Sequence, residues 1–379
     1  MGSIRKRPGR SRPYEARYRG PDGRQRSKSF LRRLDAQRWL TERERERHRG
    51  EWVDPALAQT PFAEWCARVQ AGRINLAPST RARDESILRS LVLPTFGGME
   101  LRSIQPSDIR EWVTELVEED YAANTVRKAY QLLAQALAVA VQDGFLVRSP
   151  CRSIALPKVI TVPQRFLSPP EVEELAGAID QRYRVMVLVG AYAGLRFGEA
   201  AGLRVERLDL LRRALLVQET VAEVRGHVQI RPVPKSRASH RTVSLDAHLA
   251  QDLAEHLTTY PVGTDGFLFS APEGGGLHRT NFRRRFWQPA VRASVGEPCR
   301  FHDLRHTHVA FLIEAGEDPK VIQERLGHAS IRVTYDTYGH LFPGRDERAA
   351  ERLAGLRYRA RVGQVWAKRG PEVIPLRPE

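Results

Sequence analysis

The sequence predicts a multi-domain α+β protein: a small basic β-sheet plus helix at the front, an all-helical middle segment, and a mainly helical final lobe with a small antiparallel three-stranded sheet. Three observations predict it. The chain has 379 residues, more than one hydrophobic core usually organises, so two or three domains are expected. Strand patterns are confined to residues 14–30 and 214–245, while helix-start signals punctuate the rest. Between 148 and 166, Pro150, Pro157 and Pro163 interrupt a run that also carries Lys and Arg, which reads as an extended connection between two lobes.

Composition narrows the function classes. Hydrophobic residues make up 41% and charged residues 28%, too apolar for wholesale disorder. The net charge of +16 favours a polyanionic partner, and it is local: residues 1–50 hold 17 basic and 6 acidic side chains. Taken alone, that excess also fits a basic, partly disordered tail. No apolar run approaches the roughly 18 residues of a membrane span, and the N-terminus lacks the apolar stretch of a secretory signal, so a cytoplasmic protein is expected. Cys66, Cys151 and Cys299 are far apart with no CxxC pair, which indicates neither a disulfide framework nor a zinc site.

In chain order, Tyr14–Arg19 and Arg24–Phe30 flank Gly20-Pro21-Asp22-Gly23 and read as a hairpin, followed by a helix from Asp35 to about Arg49. Thr60-Pro61 reads as an N-cap with proline in the first helical position. Pro78-Ser79-Thr80, Pro106-Ser107 and Asn124, which leads a run ending at Gly144, signal further helices. Ser168-Pro169-Pro170-Glu171 is a capping box opening the last lobe. There Leu215–Val217, Val228–Ile230 and Thr242–Ser244 read as three strands, with Lys235-Ser236-Arg237-Ala238-Ser239 as a turn.

Chemistry-bearing residues cluster in this lobe. Arg196 and Glu199 follow the apolar run 185–195; an arginine there is by itself more often a surface or ion-paired residue. Phe301–His308 opens a helix with Leu304, Phe311 and Leu312 on its apolar side, so His302 and Arg305, three apart, project together from another side. His302 and His306 also have helical metal-ligand spacing, but no glutamate lies between them as in HExxH. Asp318-Pro319 starts the next helix and Leu326-Gly327-His328 ends it. Ser330 starts a short helix carrying Tyr335 and Tyr338, three apart; one can serve as nucleophile and the other as packing, although a lone tyrosine is usually a core residue.

In order and local context, Arg196, Lys235, His302, Arg305, His328 and Tyr338 resemble the tyrosine recombinase, or phage integrase, family. The motifs are Ala193-Gly194-Leu195-Arg196-x-x-Glu199, the hairpin Lys235, His302-x-x-Arg305, Leu326-Gly327-His328 and Asp336-Thr337-Tyr338-Gly339-His340. The resemblance implies a site-specific integrase of a phage or mobile element that cleaves and rejoins duplex DNA through a 3′-phosphotyrosyl bond. Tyr338 would be the nucleophile, with Tyr335 its rival. Arg196 and Arg305 would clamp the phosphate, His302 and His328 would add hydrogen bonds or proton transfer, and Lys235 would be the general acid, with Glu199 as a supporting partner. A lysine in such a turn is otherwise often simply solvated, but this chain has only 7 lysines among 61 basic residues.

The resemblance also divides the chain. Residues 1–57 would form an arm-site-like DNA-binding domain, 58–150 a helical SAM-like core-site domain, 151–164 a linker, 165–358 the catalytic domain, and 359–379 a tail. It implies no cofactor or metal, a homo-tetramer on DNA passing through a Holliday junction, and an excisionase or host DNA-bending protein as candidate accessory partners. Residues 345–358 would dock on a neighbouring subunit, and the protein would work at the bacterial nucleoid. Competing readings are a chromosome-dimer resolvase of the same family, which would lack the basic front, a non-catalytic DNA-binding regulator, and a metal-dependent hydrolase built on His302, His306 and His308.

Overall fold

The computed structural model describes residues 2–49, 52–160, 164–232, 240–260, 262–263, 265–328, 330–339, 350–351 and 353–360. The chain divides into two compact units, residues 1–162 and 163–379. No described helix is long and apolar enough to cross a membrane.

The first unit begins with an antiparallel sheet of β1 (Ser3–Lys6), β2 (Tyr14–Arg19) and β3 (Gln25–Phe30) in the order β1-β2-β3. The expected hairpin is β2–β3, registered from Tyr14 opposite Phe30 to Arg19 opposite Gln25. β1 is an addition: it is short, mostly exposed and without apolar alternation, and forms by pairing with the free edge of β2. Helix α1 (Arg33–His48) lays Ala36 and Leu40 on Ala16 and Tyr18, with Trp39 meeting Tyr18 edge-on at 5.3 Å.

Helices α2 (Pro55–Ala58), α3 (Phe62–Gly72), α4 (Pro78–Ile87), α5 (Leu93–Phe96), α6 (Pro106–Glu118) and α7 (Ala123–Gln142) complete this unit. The start of α3 lies one residue later than the Thr60 cap expected. Pro61 is the N-cap, with no side-chain cap, because Phe62 N–H donates to Met99 O (2.8 Å) and Thr60 O accepts from Leu101 N–H (3.0 Å). Val126, Ala129, Leu132, Leu133, Ala136, Leu137 and Ala140 make one continuous buried face of α7. Against it, Trp65 donates its indole N–H to Ala136 O (2.8 Å), and Trp112 donates to Leu91 O (2.8 Å). The chain leaves α7 through Gly144 at φ +74°, a left-handed conformation that glycine adopts without cost.

The second unit opens with α8 (Pro169–Ala178), where Ser168 and Glu171 form the expected capping box, and continues into α9 (Gln181–Tyr192) and α10 (Phe197–Ala201). Strands β4 (Leu208–Asp209), β5 (Ala214–Val217), β6 (Glu219–Val224), β7 (His227–Pro232) and β8 (Arg241–Ser244) follow. Then come α11 (Ala247–Thr259), α12 (Arg279–Phe282), α13 (Gln288–Ala293), α14 (Phe301–Glu314), α15 (Pro319–Leu326) and α16 (Ile331–Tyr338).

The three-stranded antiparallel sheet is present, but with different members from those expected. Its order is β4-β5-β8, with Leu215 opposite Val243. Val228–Ile230 instead lie in β7, which pairs with β6 in a separate two-stranded ribbon. The ribbon closes through Arg225 (φ +50°) and Gly226 (φ +79°), a two-residue turn with both φ positive, whose twist matches that of its strands. Only Gln218 separates β5 from β6, so one extended run changes sheets.

Helix α9 is the spine of this core: Tyr183 and every residue from Val185 to Ala191 are buried, and it packs on α8, α11 and α14. A Cβ on Gly190 would stand 2.7 Å from Leu304 Cδ1, so glycine permits the close approach of α9 and α14. In the first unit, Trp65→Ala removes both a buried indole and its hydrogen bond to α7. It is expected to destabilise that unit by about 3–5 kcal/mol in chemical unfolding, and a cost below about 1 kcal/mol would contradict the packing described.

Candidate active site

Arg196 is the N-cap of α10, and it enters a reciprocal arrangement with Glu199 three residues on. Its backbone N–H donates to Glu199 Oε2 (2.9 Å) and its guanidinium to Oε1 (2.8 Å). Its side chain is 42% exposed, while that of Glu199 is 3% exposed. From β8, buried Arg241 adds a bidentate pair to the same carboxylate, at 3.1 and 2.8 Å. Arg305 of α14 lies 3.9 Å from it. Burial alone would raise the Glu199 pKa, but the hydrogen bond from Arg241 and the charges of Arg241, Arg196 and Arg305 outweigh it and bring the pKa down to about 2.

Arg305 is 1% exposed. It donates to Gly194 O and Leu326 O, both at 2.6 Å, and so ties α14 to the ends of α9 and α15. Burial, then repulsion from Arg196, lowers its pKa to about 9, which leaves it cationic at neutral pH. The sequence expectation that His302 and Arg305 project together is corrected here. His302 is exposed, whereas the Arg305 guanidinium turns inward, because α14 is packed on most sides and not along one apolar stripe.

The histidines differ in their surroundings. His302 presents an exposed ring in crowded surroundings; that crowding first, then the charges of His306, Arg305 and Arg196, lower its pKa to about 4. His328 follows the left-handed Gly327 (φ +68°) that ends α15, and its Nδ1 is 3.0 Å from Thr334 Oγ1. Burial and the nearby Arg305 and Arg196 bring its pKa down to about 4 as well. His308 uses both nitrogens structurally: Nδ1 donates to Ala191 O (3.0 Å), and Nε2 accepts from Arg325 Nε (2.9 Å). That arrangement requires the neutral ring, and burial lowers its pKa to about 3.

Tyr338, the last residue of α16, is 2% exposed and packs with Val309, Ile313, Ile322 and Leu326. Its hydroxyl lies 2.6 Å from Nδ1 of buried His306. Burial pushes its pKa up to about 12, against the opposing charges of Arg305 and Arg196. Tyr335 is 37% exposed. The structure therefore brings Arg196, Glu199, His302, Arg305, His328 and Tyr338 into one electrostatic neighbourhood, while Lys235 and His340 lie outside the described residues.

Three participants escaped the sequence reading. Arg241 was detectable in principle, because strand alternation puts it on the same face as buried Val243. Arg325, which donates to Ser244 O (2.9 Å) and whose own carbonyl accepts from Arg241 Nε (2.8 Å), and the His306–Tyr338 pair depend on tertiary contacts with no local signature. Among the described residues, three guanidinium groups surround the Glu199 carboxylate, an arrangement suited to receive an anion. His308 has no nitrogen left for a metal, and among the described residues no group of three or more His, Cys, Asp or Glu side chains is placed to hold one.

Residues 165–345 match the Phage integrase family, residues 1–49 the phage integrase N-terminal domain, and residues 69–117 the phage integrase N-terminal SAM-like domain. A phiRv2 prophage integrase of Mycobacterium tuberculosis is 30% identical over 356 residues, covering 90% of this chain and 92% of the relative. The chain belongs to the phage integrase family of tyrosine recombinases. This integrase is thus a site-specific recombinase, an enzyme of the tyrosine type. Its fold is shared with the Tn1549 transposon integrase, solved with a circular intermediate DNA (TM-score 0.68, 23% identity, 77% of this chain and 99% of that one). It is also shared with a lambda integrase tetramer bound to a Holliday junction (TM-score 0.56, 16% identity, 86% of this chain and 95% of that one). The match at the basic front favours an integrase over a chromosome-dimer resolvase.

Two predictions follow from the geometry. Because the folded Glu199 pKa of about 2 lies below its ordinary 4.5, the ionised carboxylate stabilises the fold above pH 4.5, and that contribution is lost as pH falls toward 2. Glu199→Gln should cost about 3 kcal/mol at neutral pH in urea unfolding. The gap from wild type should narrow below pH 4.5; a gap independent of pH would contradict the assignment. Gly194, at φ +69°, would place a Cβ 2.5 Å from His308 Cδ2. Gly194→Ala should therefore displace the carbonyl that holds Arg305 and lower strand cleavage by at least about tenfold, the equivalent of about 1.4 kcal/mol; wild-type cleavage would show that the Arg305 anchor is dispensable.

Proposed function

We propose that this integrase cleaves duplex DNA by attack of the Tyr338 hydroxyl on a scissile phosphodiester, forming a 3′-phosphotyrosyl bond that conserves the energy needed for rejoining. The supporting observation is a buried tyrosine hydroxyl placed in the field of Arg196 and Arg305, at a site where three guanidinium groups surround the Glu199 carboxylate among the described residues.

Displacement at phosphorus builds negative charge on the non-bridging oxygens, so fixed cations directed there are the main catalytic need. Arg196 is the accessible clamp, and Arg305 keeps N–H donors beyond the two given to carbonyls. His302, held neutral by its crowded surroundings, and His328, held neutral by burial, each with the same cations adding to the effect, supply hydrogen bonds; an arriving phosphate offsets those cations and raises the histidine pKa values toward proton transfer. Lys235 is the general acid for the leaving 5′ oxygen, since an ammonium can give up a proton that a guanidinium keeps. Glu199 holds Arg196 and Arg241 in place. None of these steps calls for a metal or ATP.

Residues 1–57 bind accessory arm-type sites, 58–150 and the catalytic segment 165–358 grip the core site, 151–164 links them, and 359–379 is a tail. The phosphate contacts position the duplex, and the basic charge supplies salt-sensitive affinity. The active form is a homo-tetramer that exchanges strands in pairs through a Holliday junction at the bacterial nucleoid, integrating or excising a mobile element with an excisionase or host DNA-bending protein. The likeness to a lambda integrase solved as a tetramer on such a junction supports this assembly.

The test is a nicked core-site DNA incubated in EDTA. A denaturation-resistant protein–DNA adduct is expected from wild type and Tyr335→Phe and none from Tyr338→Phe. An adduct from Tyr338→Phe would move the nucleophile elsewhere, and loss of wild-type cleavage in EDTA would restore a metal.

A further inference from the structure

The assignment of Tyr338 leaves one buried histidine of the site, His306, without a task. We propose that His306 is the base that takes the Tyr338 proton as strand cleavage begins and returns it when the strand is rejoined. This rests on Tyr338 being the nucleophile.

His306 lies on α14 beside Arg305, and its Nδ1 is 2.6 Å from the Tyr338 hydroxyl, with ring centroids 5.6 Å apart. Among the described residues, this is the hydrogen bond that reaches the hydroxyl. The rival imidazoles are differently engaged: Nδ1 of His328 faces Thr334, both nitrogens of His308 are used, and His302 meets His306 edge-on at 4.8 Å. A phenol at this depth keeps its proton at neutral pH, so the reaction needs an acceptor within hydrogen-bond reach.

The titratable and charged groups facing His306 are His302, Asp303 and Arg305 on α14, Arg300 at its cap, and Tyr338 on α16. Burial, then Arg300 and Arg305, keep the resting ring neutral with a lone pair free to accept. Buried Asp303 acts in the opposite sense and stabilises the imidazolium that forms. In the forward step the Tyr338 O–H bond breaks, its proton passes to Nδ1, and the oxygen forms the bond to phosphorus. The bond from phosphorus to the 5′ oxygen breaks, its electron pair stays on that oxygen, and Lys235 protonates it. Rejoining reverses each transfer.

The experiment measures single-turnover adduct formation by the full chain on nicked core-site DNA, and on the same DNA with sulfur replacing the scissile 5′ oxygen, a leaving group that needs no proton. His306→Asn keeps an acceptor near the position of Nδ1 but cannot take up the proton. It should bind DNA like wild type, lose about 100- to 10,000-fold in adduct rate, and gain nothing from sulfur. His306→Ala, which leaves a space, should recover part of its activity with added imidazole in proportion to the free base. A His306→Asn rate within a few-fold of wild type, or full restoration by sulfur, would overturn the proposal. So would failure of imidazole to raise the His306→Ala rate. An adduct from Tyr338→Phe in the same assay would instead sink the nucleophile assignment, and the two failures are read from different variants.

Discussion

Glu199 lets three guanidinium groups gather around one buried carboxylate, two of them, Arg241 and Arg305, themselves buried. Its buried carboxylate accepts from Arg196 and from both terminal nitrogens of Arg241, with Arg305 at 3.9 Å. Like charges gathered in a low-dielectric setting repel strongly, and desolvation adds to the cost, so the cluster forms only around a counter-ion. One carboxylate offsets one of the three charges. Desolvation first, and then that remaining charge, keep His302 and His328 neutral in the resting protein, and the same charge leaves the site short of an anion. In the proposed mechanism a DNA phosphate supplies that anion, so that binding and the activation of the site would be the same electrostatic event.

The carboxylate in turn depends on an apolar frame. Helices α9 and α14 approach closely because Gly190 has no side chain, and this sets Gly194 O and Leu326 O where Arg305 can donate to both. His308, fixed as a neutral ring between Ala191 O and Arg325, connects the same helices to α15. Arg241 carries the anchoring from strand β8 to the carbonyl of Arg325. Buried polar groups here are paired with backbone acceptors or with one another, which is the condition for their burial to hold the geometry.

Much of this was legible in the sequence. The capping box at Ser168–Glu171, the Asp318 cap and the Gly327 helix exit each have a local physical cause, and each lies where the residues indicate. Arg196, His302, Arg305, His328 and Tyr338 were singled out as a set by the family resemblance, and the structure places them in one electrostatic neighbourhood. The partition of residues 214–245 between two sheets was not legible, since β6 carries only Val221 and Val224 as buried apolar positions and its pairing is set by the Arg225-Gly226 turn. The inward turn of Arg305 and the contact of His306 with Tyr338, 32 residues apart, arise from packing between helices. Helical spacing groups side chains by face and does not say which face the rest of the fold covers.

The most direct test of this account is a crystal structure of the protein on nicked core-site DNA with vanadate in place of the scissile phosphate. The account predicts Tyr338 Oη bonded at an apical position, and the guanidinium groups of Arg196 and Arg305 donating to equatorial oxygens while Glu199 still holds Arg196 and Arg241. A water or another side chain at the apex, or a metal ion on the equatorial oxygens with Arg196 turned away, would contradict it.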